Sequence, residues 1–238
     1  MISESYQACP ALLSLTPQLV GSQGQASDVS ATSWGKYRRP AGLYQPDFAT
    51  PMQGALLWVY EGMTQYWGDV LAARSGLKNA DQYKDGLAMV AAELDHTRGR
   101  EWRPTVDTAV AASILRGGNR AWENWRRGQD YYLEGELLWL DADTLIRKMS
   151  DNKKSLNDFA KIFLGKGGNT GPLIVTYTFD ELVQDLNQVV PYDWAKFLHD
   201  RVDSINPRAD VAGIERGGYR LVYRDKPSKS ERMIQAAE

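Results

Sequence analysis

One stretch, from Thr50 to Gly76, constrains what this chain can fold into more than any other. It is apolar along most of its length, and its ends carry helix signals. The hydroxyl of Thr50 can cap the N-terminus, and Pro51 suits the first turn, where no amide donor is needed. Gly76 can stop the helix in the left-handed conformation, with Arg74 near the negative end of the dipole. The pattern predicts one long helix over 50–76. Glu61 is the only Asp, Glu, Lys, Arg or His between Asp47 and Asp69. Such a lone carboxylate is either a group at a site or the top of a solvated stripe. The i, i+4, i+8 spacing of Glu61, Gln65 and Asp69 keeps the stripe open.

The remaining sequence can supply what such a helix packs against. With 238 residues, 43% of them hydrophobic and 24% charged, the chain holds one sizeable core or at most two small ones. A net charge of -2 argues against nucleic acid as the main partner, since phosphate binding needs clustered Lys and Arg. The densest basic run, residues 35–39, is short. A single cysteine, Cys9, excludes an intrachain disulfide and a cysteine-rich metal site. No apolar run reaches transmembrane length, and Pro17 interrupts the N-terminal Leu cluster. Neither a membrane span nor a signal peptide is therefore expected, which makes the cytoplasm the default location.

Residues 1–33 differ from the rest. They contain no Lys or Arg, only Glu4 and Asp28 as acids, and no helical or strand period, so they read as disordered or foreign to the domain. Pro40, Gly42 and Pro46 make 34–50 an ordered loop. Asn79 with Gln82 forms a capping box for a helix running to about His96. Residues 97–129 read as a long connection over a cleft, packed down by Trp102, Trp122 and Trp125. A buried helix opens at Asp130, with Arg147 and Lys148 suiting its last turn. Ser155 and Thr178 start two further capping boxes, the first ahead of Leu156, Phe159 and Phe163 at helical spacing. A glycine-rich turn at 165–171 lies between them. Trp194, Phe197, Leu198 and Val202 mark a last amphipathic helix, and Tyr219, Leu221 and Tyr223 alternate as a short strand within 213–225. The fold class is mainly α, with a minor β segment near the C-terminus.

Several chemistries are missing. The two histidines, His96 and His199, form no metal-ligand pair and read as exposed residues near helix C-termini. No Ser-His-Asp or Cys-His set is recognisable. Residues 165–171 follow a helix and lack the Gly-Lys-Ser/Thr ending of a phosphate loop. The acids Glu134 and Glu136, like Asp141 and Asp143, are two apart on a helix and point in different directions, which disfavours a glycosidase dyad.

Three stretches carry a family resemblance: Ser33-Trp-Gly-Lys-Tyr-Arg-Arg-Pro40, Leu56-Leu-Trp-Val-Tyr-Glu-Gly-Met-Thr-Gln-Tyr-Trp67 and Asp130-Tyr-Tyr-Leu-Glu-Gly135. They resemble the glycyl aminopeptidase family of zinc peptidases. Phe159 to Tyr192 looks like its continuation. The resemblance implies the helical C-terminal half of a thermolysin-like, gluzincin catalytic domain over residues 34–212. Residues 213–238 would then be a strand and polar tail leading towards a PDZ domain that does not follow. It implies that Glu61 matches the family's third zinc ligand. It also implies that Tyr132, three before Gly135, matches the tyrosine that hydrogen-bonds the developing oxyanion, with Tyr131 as the alternative. Peptide is the substrate class. The family's His-Glu-x-x-His segment would end just before Ser33, with its histidines near Asp28 and Thr32 and its general base near Val29. None of the three is present. Zinc belongs to the parent family and is expected not to bind this chain, which is expected to be inactive alone. The alternative reading is a non-catalytic helical module that binds a peptide or protein. Oligomeric state is not legible.

Overall fold

The long apolar stretch forms helix α1, Leu57–Arg74, which starts well after the Thr50 that its sequence offers as a cap. The computed structural model describes residues 2–4, 38–115, 122–167, 173–228 and 232. Thr50 is engaged elsewhere: its Oγ1 and its amide both donate to Asp47 Oδ1, at 2.9 and 2.8 Å. The Gln53 amide then bonds the Gly42 carbonyl at 2.8 Å, tying the approach to α1 against a 3-10 turn at Ala41–Leu43. The helix begins only once the chain has left that turn. Its far end is as anticipated. Gly76 takes φ +81°, and its amide donates to the Ala73 carbonyl at 3.2 Å.

Where the sequence carries a local cap, the helix boundary follows it. Helix α2, Ala80–His96, opens on the reciprocal Asn79–Gln82 box. The connection after it is not an irregular loop. It holds a 3-10 turn at Arg98–Glu101 and three short helices, α3 (Thr105–Val110), α4 (Ala112–Leu115) and α5 (Glu123–Arg126). Its tryptophans do not pack down as predicted: Trp122 is 75% exposed, and Trp102 and Trp125 also face outward. Helix α6, Tyr131–Met149, is buried over most of its circumference. Helices α7 (Leu156–Gly165) and α8 (Phe179–Val189) open on the Ser155 and Thr178 boxes, and α9 spans Trp194–Val202. The predicted strand region starts as helix α10, Ala212–Arg216, so only Tyr219–Leu221 forms a strand, β4. It pairs antiparallel with β1, Ile2–Glu4. Strand β2, Arg38–Pro40, pairs in parallel with β3, Val175–Tyr177. The rest of the 1–33 segment and most of the 165–171 turn lie outside the described residues.

Helices α1 and α6 cross at two glycines. A Cβ on Gly62 would sit 2.5 Å from Gly135 Cα, and one on Gly135 would sit 2.4 Å from Gly62 Cα. Only hydrogen fits at either position, so the backbones touch. Beside the crossing, aromatic rings form a continuous ladder. Trp58 on α1 stacks on Trp139 of α6, and Trp139 stacks on Phe159 of α7. Phe159 then meets Phe163, and Phe163 meets Tyr177 of β3 edge-on. Arg38 closes the ladder. Its guanidinium lies 4.7 Å from the Phe163 ring centroid and its Nε donates to the Phe163 carbonyl at 3.0 Å. Asp185, fully buried on α8, faces Arg38 at 3.9 Å and Lys166 at 2.7 Å.

Candidate functional site

Side chains alternate along a strand, so Arg38 and Arg39 point to opposite sides of β2. With Arg38 fixed in the core, Arg39 faces a cavity of about 220 Å³ beside the α1–α6 crossing. Glu61 and Tyr60 line it from α1, Ser113 from α4 and Tyr131 from the start of α6. The Tyr60 hydroxyl pKa is pushed up by burial first and then by the Glu61 charge, with Arg39 acting in the opposite sense. Arg39 Nε is buried without a hydrogen-bond acceptor.

The tyrosine beside Glu61 is Tyr131. It is 2% exposed, and its hydroxyl lies 3.4 Å from Gln129 Nε2. Tyr132, singled out by its spacing to Gly135, is half-buried and does not line this cavity. Its ring packs on that of Tyr131 with centroids 4.9 Å apart. Nothing in the sequence distinguishes the two neighbours. The burial of Tyr131 follows from where α6 begins.

The four acids of α6 separate as their spacing implies. Glu134 meets the guanidiniums of Arg100 and Arg127, the latter at 2.6 Å. Asp141 is held by Arg201 and Arg216. Asp143 accepts from Arg147 Nε at 2.7 Å and from the Leu156 amide at 2.6 Å. Glu136, 1% exposed, instead lies beside Asp69 and Gln65 of α1, and neither of its oxygens closes a hydrogen bond of ordinary geometry. A larger cavity of about 330 Å³ lies near Arg100, Glu134 and Arg201. These charges already have partners: Arg100 pairs with Glu134, and Arg201 Nε with Asp210 at 2.8 Å.

Both histidines lie in the last turns of exposed helix ends. His96 Nδ1 contacts the Ala92 carbonyl at 2.8 Å and its ring meets Tyr223. His199 Nδ1 pairs with Asp203. Neither lines the Glu61 cavity, and the sequence has no others. Among the described residues, no group of three His, Cys, Asp or Glu is placed to hold a metal ion. A catalytic zinc site needs three protein donors of imidazole, thiolate or carboxylate type. One carboxylate beside a guanidinium does not fit that requirement.

The sequence profile of the glycyl aminopeptidase family matches residues 32–138, which include Glu61, Gly62, both tyrosines and Gly135. Over that stretch the chain is similar to the glycyl aminopeptidase family. The glycines of Glu61-Gly62 and Glu134-Gly135, both within the matched stretch, are the two that let α1 and α6 touch. The fold of the chain is shared with the crystal structure of an aminopeptidase N family protein from Idiomarina loihiensis. The two agree with a TM-score of 0.65 at 23% identity, over 81% of this chain and 33% of the other. The chain thus spans about a third of that protein's length. No curated protein matches the sequence.

Proposed function

We propose that this chain carries the helical side of the peptide cleft of a zinc metallo-aminopeptidase, with Glu61 at the position of the family's carboxylate zinc ligand. The tyrosine pair at the start of α6 supplies the hydroxyl for the developing oxyanion. The chain by itself does not hydrolyse peptides. The observation that carries this reading is that Glu61 and Tyr131 line one cavity at the crossing of α1 and α6. The residues at which these two helices meet, Gly62 and Gly135, lie within the family match. A hydroxyl aimed at charge that appears only in the transition state is a general device of acyl transfer. The inactivity follows from the donor inventory. Both imidazoles of the sequence lie outside this cavity, and among the described residues no three-donor group is placed to hold a metal ion.

The test is an assay of the purified chain on glycyl- and alanyl-anilide substrates with added zinc. The expected outcome is release no faster than in buffer with zinc alone. Turnover that Glu61→Ala abolishes contradicts the proposal.

A further inference from the structure

The larger cavity, about 330 Å³, shares no lining residue with the Glu61 cavity. It lies between α1, α6 and α9 and the chain from Asn206 to Asp210. Its volume falls at the small end of sites that take organic ligands, ~300–1,000 Å³. One side is apolar, formed by Trp58, Leu138, Val202 and Ala209. Another part of the wall is Arg100, which is 2% exposed.

The charge of Arg100 is answered, but its donors are not all used. Its Nη1 meets Glu134, and its Nη2 donates to the Arg208 carbonyl. Its Nε is buried with no acceptor among the described residues. Glu134 is also shared, since Arg127 Nη2 reaches the same carboxylate oxygen at 2.6 Å. Burial first, and then the Arg127 charge, lower the Arg100 pKa to about 10, against the pull of Asp130, Asp95 and Asp210. A buried donor left without an acceptor costs free energy, and an ionised acceptor answers a guanidinium best. The acids of the wall are already engaged. Glu134 holds two guanidiniums, Asp210 meets Arg201 Nε at 2.8 Å, and Asp200 meets Lys196 Nζ at 2.6 Å.

We propose that this cavity binds a small organic monocarboxylate, its carboxylate on Arg100 Nε and a branched or aromatic body against Trp58, Leu138 and Val202. The inference stands apart from the proposed function, in a different cavity and with a ligand that carries no amino group. An added ammonium would find each acid of the wall taken by a base. A ligand without the charge leaves Arg100 Nε unanswered, and one without the body leaves the apolar side uncovered.

The test is calorimetric titration of the full chain with 3-methylbutanoate and benzoate, beside their two amides, acetate and L-valine. The amides remove the charge, acetate removes the body, and valine is 3-methylbutanoate with an added ammonium. Saturable binding of at least one of the first two is expected, with the amides, acetate and valine about tenfold or more weaker. Arg100→Gln is expected to lose the binding. Met52→Ala, in the wall of the Glu61 cavity, is expected to keep it. If thermal unfolding shows that Arg100→Gln does not fold, Ala209→Val, which only narrows the cavity, must weaken binding instead. No binding of either acid overturns the proposal. So does an amide or valine that binds as tightly as its acid, unchanged binding in a folded Arg100→Gln, or loss of binding in Met52→Ala.

Discussion

A carboxyl group with 1% exposure must be paired or neutral, and Glu136 is held towards neutral. Burial pushes its pKa up to about 8, from an ordinary 4.5, and the nearby Asp69 charge adds to the rise. Lys78, whose Nζ lies 2.5 Å from Asp69 Oδ1, and Gln65 act in the opposite direction. A raised carboxyl pKa means that the folded state binds more protons than the unfolded one between pH 4.5 and 8. Stability therefore falls as pH rises through that window, and the loss is complete above the folded value. Unfolding free energies from urea titrations at pH 5 and pH 8 should differ by on the order of a few kcal/mol in the native chain. Most of that difference should vanish in Glu136→Gln, and an unchanged difference would assign it to other groups. Sequence gives no warning of this. Glu134 and Glu136 are two residues apart on one helix, yet one meets two guanidiniums and the other a carboxylate. Which partner each acid finds depends on helices folded elsewhere in the chain.

At the scale of elements, the crossing of α1 and α6 sets the site. Replacing Gly62 or Gly135 by Ala forces a methyl group into the opposite backbone, 2.4–2.5 Å away. Each change should cost about 3 kcal/mol or more, seen as a lower urea midpoint. Gly68→Ala, on the exposed side of the same helix with nothing within 4 Å, should instead gain about 0.5–1 kcal/mol. Equal effects at Gly62 and Gly68 would contradict the close crossing. Elements were legible where their signals are local. The Asn79, Ser155 and Thr178 boxes each need only residues three apart, and each marks a real helix start. Thr50 looked equally good, but Asp47 takes its hydroxyl and the Gly42 turn holds the chain behind it. The β2–β3 pairing was not legible, because parallel partners far apart in sequence leave no local pattern. For that reason the 34–50 segment read as a loop and Arg39 was not singled out.

At the scale of the molecule, one continuous core runs from Trp58 through Trp139 and Phe159 to Tyr177. It packs beside the crossing of α1 and α6, the two helices that carry Glu61 and Tyr131 to the cavity. Among the described residues, no helix is long and apolar enough to cross a membrane. The family resemblance and the fold class could be read from three short stretches, because their glycines and aromatics are what the helix crossing requires. The meeting of Glu61, Arg39 and Tyr131 around one cavity could not, since it depends on tertiary placement. The proposed account turns on ligand number: among the described residues no group of three donors is placed to hold a metal ion, and His96 and His199 are engaged at helix ends outside the Glu61 cavity. Titration of the purified chain with zinc, in competition with a chromophoric chelator, tests this most directly. The expected result is no zinc equivalent whose affinity changes in Glu61→Ala. One tightly held zinc that is lost in Glu61→Ala would contradict it.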